Sequence, residues 1–239
     1  MRIPLTKYGL PEVLVYPAAV VALMTALGLI GVVFLPGWLV VLAEAVLAAL
    51  LFAVFWFFRD PERHVQADEN ILLAPADGRI TDIEMAEGDS FINGATLRIG
   101  IFLSIFDTHI NRAPCNARVE KVTFKRGKYR NAADPRSGRV NESNDLDLVR
   151  IDSPNDKLVV RQISGAIARR IVCQACEGQE LAAGEKFGMI KFGSRTELYV
   201  SLTPRAENIG WQPKCLVKIG DKVKAGLTPL VKYEMPRHQ

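Results

Sequence analysis

Charge is what the first 58 residues lack. Arg2, Lys7, Glu12 and Glu44 are the four charged residues there and they cancel, although the whole chain of 239 residues is 23% charged with a net charge of +4. Two physically different segments therefore meet near Arg59. Four cysteines are too sparse for a disulfide scaffold. Histidine is scarcer still, at His64, His109 and His238. The small positive excess is poor evidence for a nucleic-acid partner. It suits a domain near an anionic membrane surface, where each nearby Lys or Arg adds roughly 1 kcal/mol of attraction. A disordered chain is excluded, because 49% hydrophobic content with modest net charge supports ordering.

From Val13 to Phe58 there is one charge, Glu44, and a Pro36-Gly37 pair near the middle. Two segments of roughly 21 residues on either side would each span about 30 Å, the hydrocarbon thickness. The pattern predicts a transmembrane helical hairpin over residues 1–58. Arg2 and Lys7 flank it on one side and Arg59 and Arg63 on the other, so the positive-inside rule puts both ends, and the rest of the chain, in the cytoplasm. Trp56, Phe57 and Phe58 fit an interfacial aromatic belt. The uncharged run from Val13 to Ala43 is far longer than the roughly 7–15-residue core of a signal peptide. A re-entrant hairpin within one leaflet is the alternative. Glu44 reads as a residue tolerated near the far interface.

After a polar linker over 59–70, short apolar or alternating runs are broken by Gly, Pro, Asn and Asp: 71–73, 80–83, 97–106, 118–124, 146–151, 158–163, 170–173, 198–202 and 216–219. No long amphipathic helical period appears. This spacing predicts a β-rich domain, all-β or α+β, over 59–239. Ala76-Asp77-Gly78-Arg79-Ile80 with Glu87-Gly88-Asp89-Ser90-Phe91-Ile92-Asn93-Gly94 parallels Val217-Lys218-Ile219-Gly220-Asp221 with Lys222-Val223-Lys224-Ala225-Gly226. The pattern resembles a duplicated barrel-sandwich hybrid of the lipoyl and biotinyl carriers. Lys128 to Asp145 is the longest polar stretch, and a loop of that length is placed over a site as a lid.

His64 lies in the polar linker and His238 one residue from the end, so both read as solvated. His109 follows the apolar run 100–106 in a polar cluster closed by Pro114, the setting of a proton-transfer residue at the mouth of a rigid sheet, although taken alone, without a second partner, it reads rather as a structural or surface histidine. Cys173 and Cys176 have CxxC spacing, but Cys115 and Cys215 are isolated, and a zinc site needs two close pairs. No metal is expected, and the cysteines read as reduced, buried small hydrophobes. Gly193-Ser194, before the apolar run 198–202, is the chain's one Gly-Ser dipeptide.

Taken in order, Phe57-Phe58-Arg59-Asp60-Pro61-Glu62-Arg63, Ala74-Pro75-Ala76-Asp77-Gly78, the run Asp107 to Asn116, Asn141-Glu142 and Phe192-Gly193-Ser194 resemble the motifs of short-form phosphatidylserine decarboxylases over about 55–230. The resemblance implies a pyruvoyl enzyme made from a proenzyme. The chain would cleave itself between Gly193 and Ser194 into a β chain of residues 1–193 and an α chain of residues 194–239. Ser194 would become the covalent pyruvoyl cofactor, which forms a Schiff base with the substrate amine and draws off electrons as carbon dioxide leaves. His109 is the implied proton-transfer residue, and Asp77 the implied orienting or activating residue in self-cleavage. Longer family members carry a second histidine at the position of Arg112, so a triad using it does not carry over. Arg112 is open between stabilising an anion, binding the lipid phosphate or substrate carboxylate, and lying on the surface.

The implied partners are a phospholipid in the membrane and the companion chain from the same proenzyme, with a higher oligomer open and no nucleic acid. The implied location is the cell membrane with the catalytic domain in the cytoplasm. Two other readings compete. One is a non-catalytic, membrane-anchored lipoyl-like adaptor, although Met189-Ile190-Lys191 is the nearest approach to an attachment hairpin. The other is a pyruvoyl decarboxylase for a different amine-bearing substrate.

Overall fold

The structure, a computed structural model, describes residues 4–10, 12–66, 68–88, 91–166, 170–191, 193–202 and 211–234. Arg2, Asp89, Ser90, Phe192 and His238 lie outside the described residues. The chain forms two compact units, Met1–Glu62 and Arg63–Gln239.

In the first unit a helix over Glu12–Ala26 runs on through a π-helical turn at Leu27–Gly31 and a last turn at Val32–Phe34. Pro36, which cannot continue a helix, precedes the second helix, Gly37–Phe57. The spans Glu12–Gly31 and Gly37–Phe57, of 20 and 21 residues, are long and apolar enough to cross a membrane. Neither has a polar face: Leu14, Leu29, Phe34, Trp38, Val41 and Phe52 are all exposed. Helices apolar all round require an apolar surrounding. The helices touch where side chains are small, since a Cβ on Gly31 would lie 3.3 Å from Val40 and one on Gly28 3.9 Å from Glu44 Oε1. Glu44 therefore faces the first helix. The ends of the unit pair, with Thr6 N donating to Phe58 O at 3.0 Å and Asp60 N to Pro4 O at 2.6 Å. Arg59 lies over the Trp56 ring at 4.3 Å.

The second unit is β-rich. Its strands are β1 (Ile71–Leu73), β2 (Gly78–Glu87), β3 (Ala95–Leu103), β4 (Ile110–Arg112), β5 (Ala117–Lys125), β6 (Ser143–Arg150), β7 (Lys157–Ile163), β8 (Ile171–Cys173), β9 (Glu180–Leu181), β10 (Lys186–Ile190), β11 (Ser194–Ser201), β12 (Gln212–Cys215), β13 (Lys222–Val223) and β14 (Pro229–Glu234). An eight-stranded sheet has the order β13-β2-β3-β11-β7-β6-β5-β9, and two three-stranded sheets have the orders β1-β14-β12 and β4-β10-β8. Every pairing between these strands is antiparallel.

The period of two in the sequence sets the faces. One face of the large sheet buries Leu97, Ile99, Ile101 and Leu103 of β3, Leu146 and Leu148 of β6, Leu158 and Val160 of β7, and Leu198 and Val200 of β11. Each such side chain contributes about 1.5–3 kcal/mol by burial. The other face carries charge that is also covered. Arg98 Nη1 and Arg195 Nε donate to Glu197 Oε1 at 2.9 and 2.7 Å, and Arg195 also pairs with Asp82. Arg161 grips Asp145 through two bonds of 2.6 and 2.8 Å. Burial of these ions is tolerable because they are paired.

The run 216–219 is irregular, with Leu216 N donating to Leu230 O and Lys218 N to Asp221 Oδ2, each at 2.9 Å; the run 97–106 leaves the strand at Leu103, the other predicted runs lie on strands, and β4, β9, β10, β12, β13 and β14 are additional. The two similar stretches meet, with Lys222 and Val223 opposite Arg79 and Gly78. Gly78 must be glycine, because a Cβ there would lie 2.2 Å from the Phe102 carbonyl oxygen. The long polar stretch has structure of its own. It contains a helical turn at Ser137–Val140 and a bridge between Lys128 and Asn141.

Candidate active site

Strand β11 opens at Ser194, which lies opposite Leu103 of β3. Gly193 precedes it in the left-handed region, with φ +63°, where a residue without Cβ is unstrained. Its carbonyl oxygen sits against Gly165, because a Cβ on Gly165 would fall 1.9 Å from that oxygen and 3.3 Å from Ala132 Cβ. Ala132 belongs to the long polar stretch, which therefore packs beside the Gly193 carbonyl. Ser194 is fully buried, and its hydroxyl makes no hydrogen bond to a described residue. Such an orphan costs about 1–3 kcal/mol and calls for a chemical explanation.

His109, fully buried, stands at the entrance to β4. Its Nε2 accepts the Gly193 N–H at 3.3 Å, and its Nδ1 faces the Asp107 carbonyl at 2.9 Å. A ring that accepts at Nε2 carries its proton on Nδ1 and is neutral. The backbone fixes it further, with Ile190 N donating to His109 O at 3.2 Å. One imidazole thus holds the N–H of the residue before the orphan serine.

A buried amide chain ties these strands together. Asn111 Nδ2 donates to Thr196 Oγ1 at 3.0 Å, Gln162 Nε2 to Asn111 Oδ1 at 2.9 Å, and Asn144 Nδ2 to Gln162 Oε1 at 3.2 Å. Asn111 lies two residues from His109 and Thr196 two residues from Ser194. The chain therefore locks the histidine strand to the serine strand.

Asp77 is held elsewhere. Arg63 reaches it through two bonds of 2.6 and 2.7 Å, and Ala225 N donates to Oδ1 at 2.8 Å. Its turn touches β4 through Pro75 O, which accepts from Arg112 N at 2.9 Å. The Arg63 side chain is correspondingly buried on Asp77. Arg112 is 5% exposed, with Nη1 donating to Gly184 O at 3.0 Å, which removes the surface reading. The cysteines are free, but only Cys115 is buried, while Cys176 is exposed. Expecting all four to be small core hydrophobes was too simple, because the CxxC pair sits where β8 runs out into an open turn. No cluster of metal-ligating side chains exists among the described residues.

The model of the family described as phosphatidylserine decarboxylase matches residues 50–230. The chain belongs to the phosphatidylserine decarboxylase family. The phosphatidylserine decarboxylase proenzyme of Rhodopirellula baltica is 38% identical over 234 residues, covering 97% of this chain and 89% of the relative. That of Pelagibacter ubique is 38% identical over 213 residues, 88% of this chain and 86% of the relative. That of Azorhizobium caulinodans is 39% identical over 222 residues, 92% and 87% of the two. Membership in this decarboxylase family makes the chain an enzyme and sets aside the non-catalytic adaptor.

Sequence reasoning did not single out Gly165, Asn144, Gln162 or Thr196. The signal for the amides was there, since Gln162 continues the inward register of Leu158 and Val160, and Asn144 that of Leu146 and Leu148. A polar residue in an apolar register marks a buried network. Nothing in the sequence alone brings Gly165 to Gly193.

Proposed function

We propose that the chain is a self-processing, pyruvoyl-dependent phosphatidylserine decarboxylase that releases carbon dioxide and leaves phosphatidylethanolamine. The observation that carries this reading is the buried Ser194 hydroxyl, which no described residue bonds, beside the left-handed Gly193, whose N–H is bonded to His109. The relatives' name, proenzyme, agrees with it.

In this reading Ser194 Oγ attacks the Gly193 carbonyl carbon, and collapse expels the Ser194 nitrogen to leave an ester. Loss of the Ser194 Cα proton with departure of the Gly193 carboxylate then gives dehydroalanine, and water converts it to the pyruvoyl group with release of ammonia. The products are a β chain of 1–193 and an α chain of 194–239 that remain together. Gly165 leaves room for the carbonyl oxygen whose charge grows during attack, and Nε2 of His109 takes up a proton once Gly193 moves away. Ser194 at the head of β11 fits the group, because its β-carbon and backbone are held by a rigid strand. The pyruvoyl carbonyl supplies the electron sink for loss of the carboxylate.

His109 serves as the group that returns a proton to the substrate carbon. Asp77 acts as a positioning residue, fixing the Ala74–Gly78 turn against β4 through Arg63 and Ala225. Arg112 offers a planar cation for a phosphate or carboxylate. The two apolar helices form a transmembrane hairpin, residues 1–58, that holds the catalytic part, 59–239, at the cytoplasmic face of the membrane. The catalytic part is a duplicated barrel-sandwich derivative, with the two similar stretches paired through β2 and β13. A diacyl lipid does not leave the bilayer readily, at about 0.8 kcal/mol per buried CH₂, so the anchor brings the site to it.

The test is release of carbon dioxide from carboxyl-labelled phosphatidylserine in vesicles carrying the full chain. Phosphatidylethanolamine should appear in equal amount, and Ser194→Ala should make none. Turnover of another amine-bearing carboxylate with phosphatidylserine untouched would replace this reading with the alternative substrate.

A further inference from the structure

β3 ends at Leu103, directly opposite Ser194. The next four residues form a tight turn, and His109 follows after Thr108. Asp107 closes the turn with its carboxylate, accepting from Ser104 N and Ser104 Oγ, each at 2.8 Å, while Asp107 N donates to Ser104 O at 3.0 Å. The same residue's carbonyl faces Nδ1 of His109 at 2.9 Å. The turn is therefore built into the frame of the site.

Its tip is apolar and points out. Ile105 is 47% exposed and Phe106 71% exposed. Single exposed apolar residues need no explanation. Among the described residues of this unit, however, Ile105 and Phe106 are the one pair of consecutive exposed large apolar side chains. The Ser104–Asp107 latch fixes the backbone that carries them, so insertion into an apolar phase carries little further backbone ordering cost.

We propose that the Ser104–Asp107 turn is a lipid-docking element, with Ile105 and Phe106 entering the boundary between headgroups and acyl chains beside the site. This rests on the reading that the substrate is a bilayer lipid. The occupant is a phospholipid surface because the headgroup must reach a buried serine and histidine, and this turn connects the strand paired with Ser194 to His109. An amphiphilic substrate can then slide from the bilayer along the turn, keeping its acyl chains in lipid.

The primary test needs no turnover. The full chain carrying Phe106→Trp is reconstituted in phosphatidylcholine vesicles whose acyl chains are brominated near the headgroup end. The emission added over wild type should be blue-shifted and strongly quenched; added emission that remains unquenched overturns the proposal. A second test uses Ile105→Ser/Phe106→Ser in vesicles, supplied with long-chain phosphatidylserine in the bilayer or dihexanoyl phosphatidylserine from the aqueous phase. The ratio of bilayer to aqueous turnover should fall about tenfold against wild type. An unchanged ratio also overturns the proposal. If wild type releases carbon dioxide from neither substrate, the substrate assignment fails, and the quenching experiment still decides the docking.

Discussion

The backbone N–H of Gly193 points at Nε2 of His109 across 3.3 Å, so the one buried histidine among the described residues is engaged with the residue that precedes Ser194. That contact occupies the imidazole lone pair before processing. Under the proposed self-cleavage the lone pair becomes available only after the Gly193 segment is released, which leaves the histidine more open to its substrate in the processed enzyme than in the precursor.

His109→Ala should therefore lower decarboxylation by at least about 100-fold, the lower end of what a positioned proton-transfer group contributes. Steady-state turnover of the processed fraction, normalised to the amount of α chain, checks this. Turnover equal to wild type would remove His109 from the chemistry.

Gly165→Ala would place a methyl group 1.9 Å from the Gly193 carbonyl oxygen. Overpacking of this kind costs about 1–3 kcal/mol, and here the strain falls on the carbonyl to be attacked. The expected result is a precursor that accumulates uncut while retaining a wild-type far-ultraviolet spectrum. Processing at the normal rate would show that the carbonyl has another resting place.

Asn111→Ala removes the shared partner of Thr196 and Gln162 and leaves both with broken bonds in the core. A loss of about 1–3 kcal/mol is expected from the stranded groups. Processing should slow as well, since β4 is no longer tied to β11 beside His109 and Ser194. Denaturant unfolding and a time course of chain separation measure the two effects.

Asp145 sets an acid limit. Burial works to raise its pKa, but the hydrogen bonds and charges of Arg161 and Lys125 outweigh burial and hold it below the ordinary carboxylate value. A group lowered in this way adds stability above its unfolded pKa and loses it as pH falls through the lower folded value. Asp145→Asn should flatten that acid dependence in unfolding experiments. At neutral pH it should cost about 1–3 kcal/mol, because it leaves the partly buried Arg161 without its carboxylate.

Much of the fold and the site was legible in the chain because short-range patterns carry it. The charge gap before Arg59 marked the two apolar helices, and the period-two runs marked most strands of the large sheet. Gly193-Ser194 and His109 stood out within ordered motifs, and the structure brings them together. What stayed hidden depends on contacts distant in sequence. No local pattern signals that Arg63 meets Asp77, 14 positions away. Gly165 is 28 positions from Gly193 and carries no local sign of meeting it. Leu216 to Ile219 read as a strand by composition, yet only Leu216 bonds to a neighbouring strand, at Leu230 of β14, and Lys218 N turns to the Asp221 carboxylate instead.

Self-cleavage at Gly193-Ser194 underlies every step proposed for this enzyme, and intact-mass analysis of the purified full chain decides it. Two chains are expected, residues 1–193 and residues 194–239, with the smaller one beginning in a blocked pyruvoyl group, and a Ser194→Ala variant should stay whole and inactive. A single uncut chain with full decarboxylase activity would contradict self-cleavage.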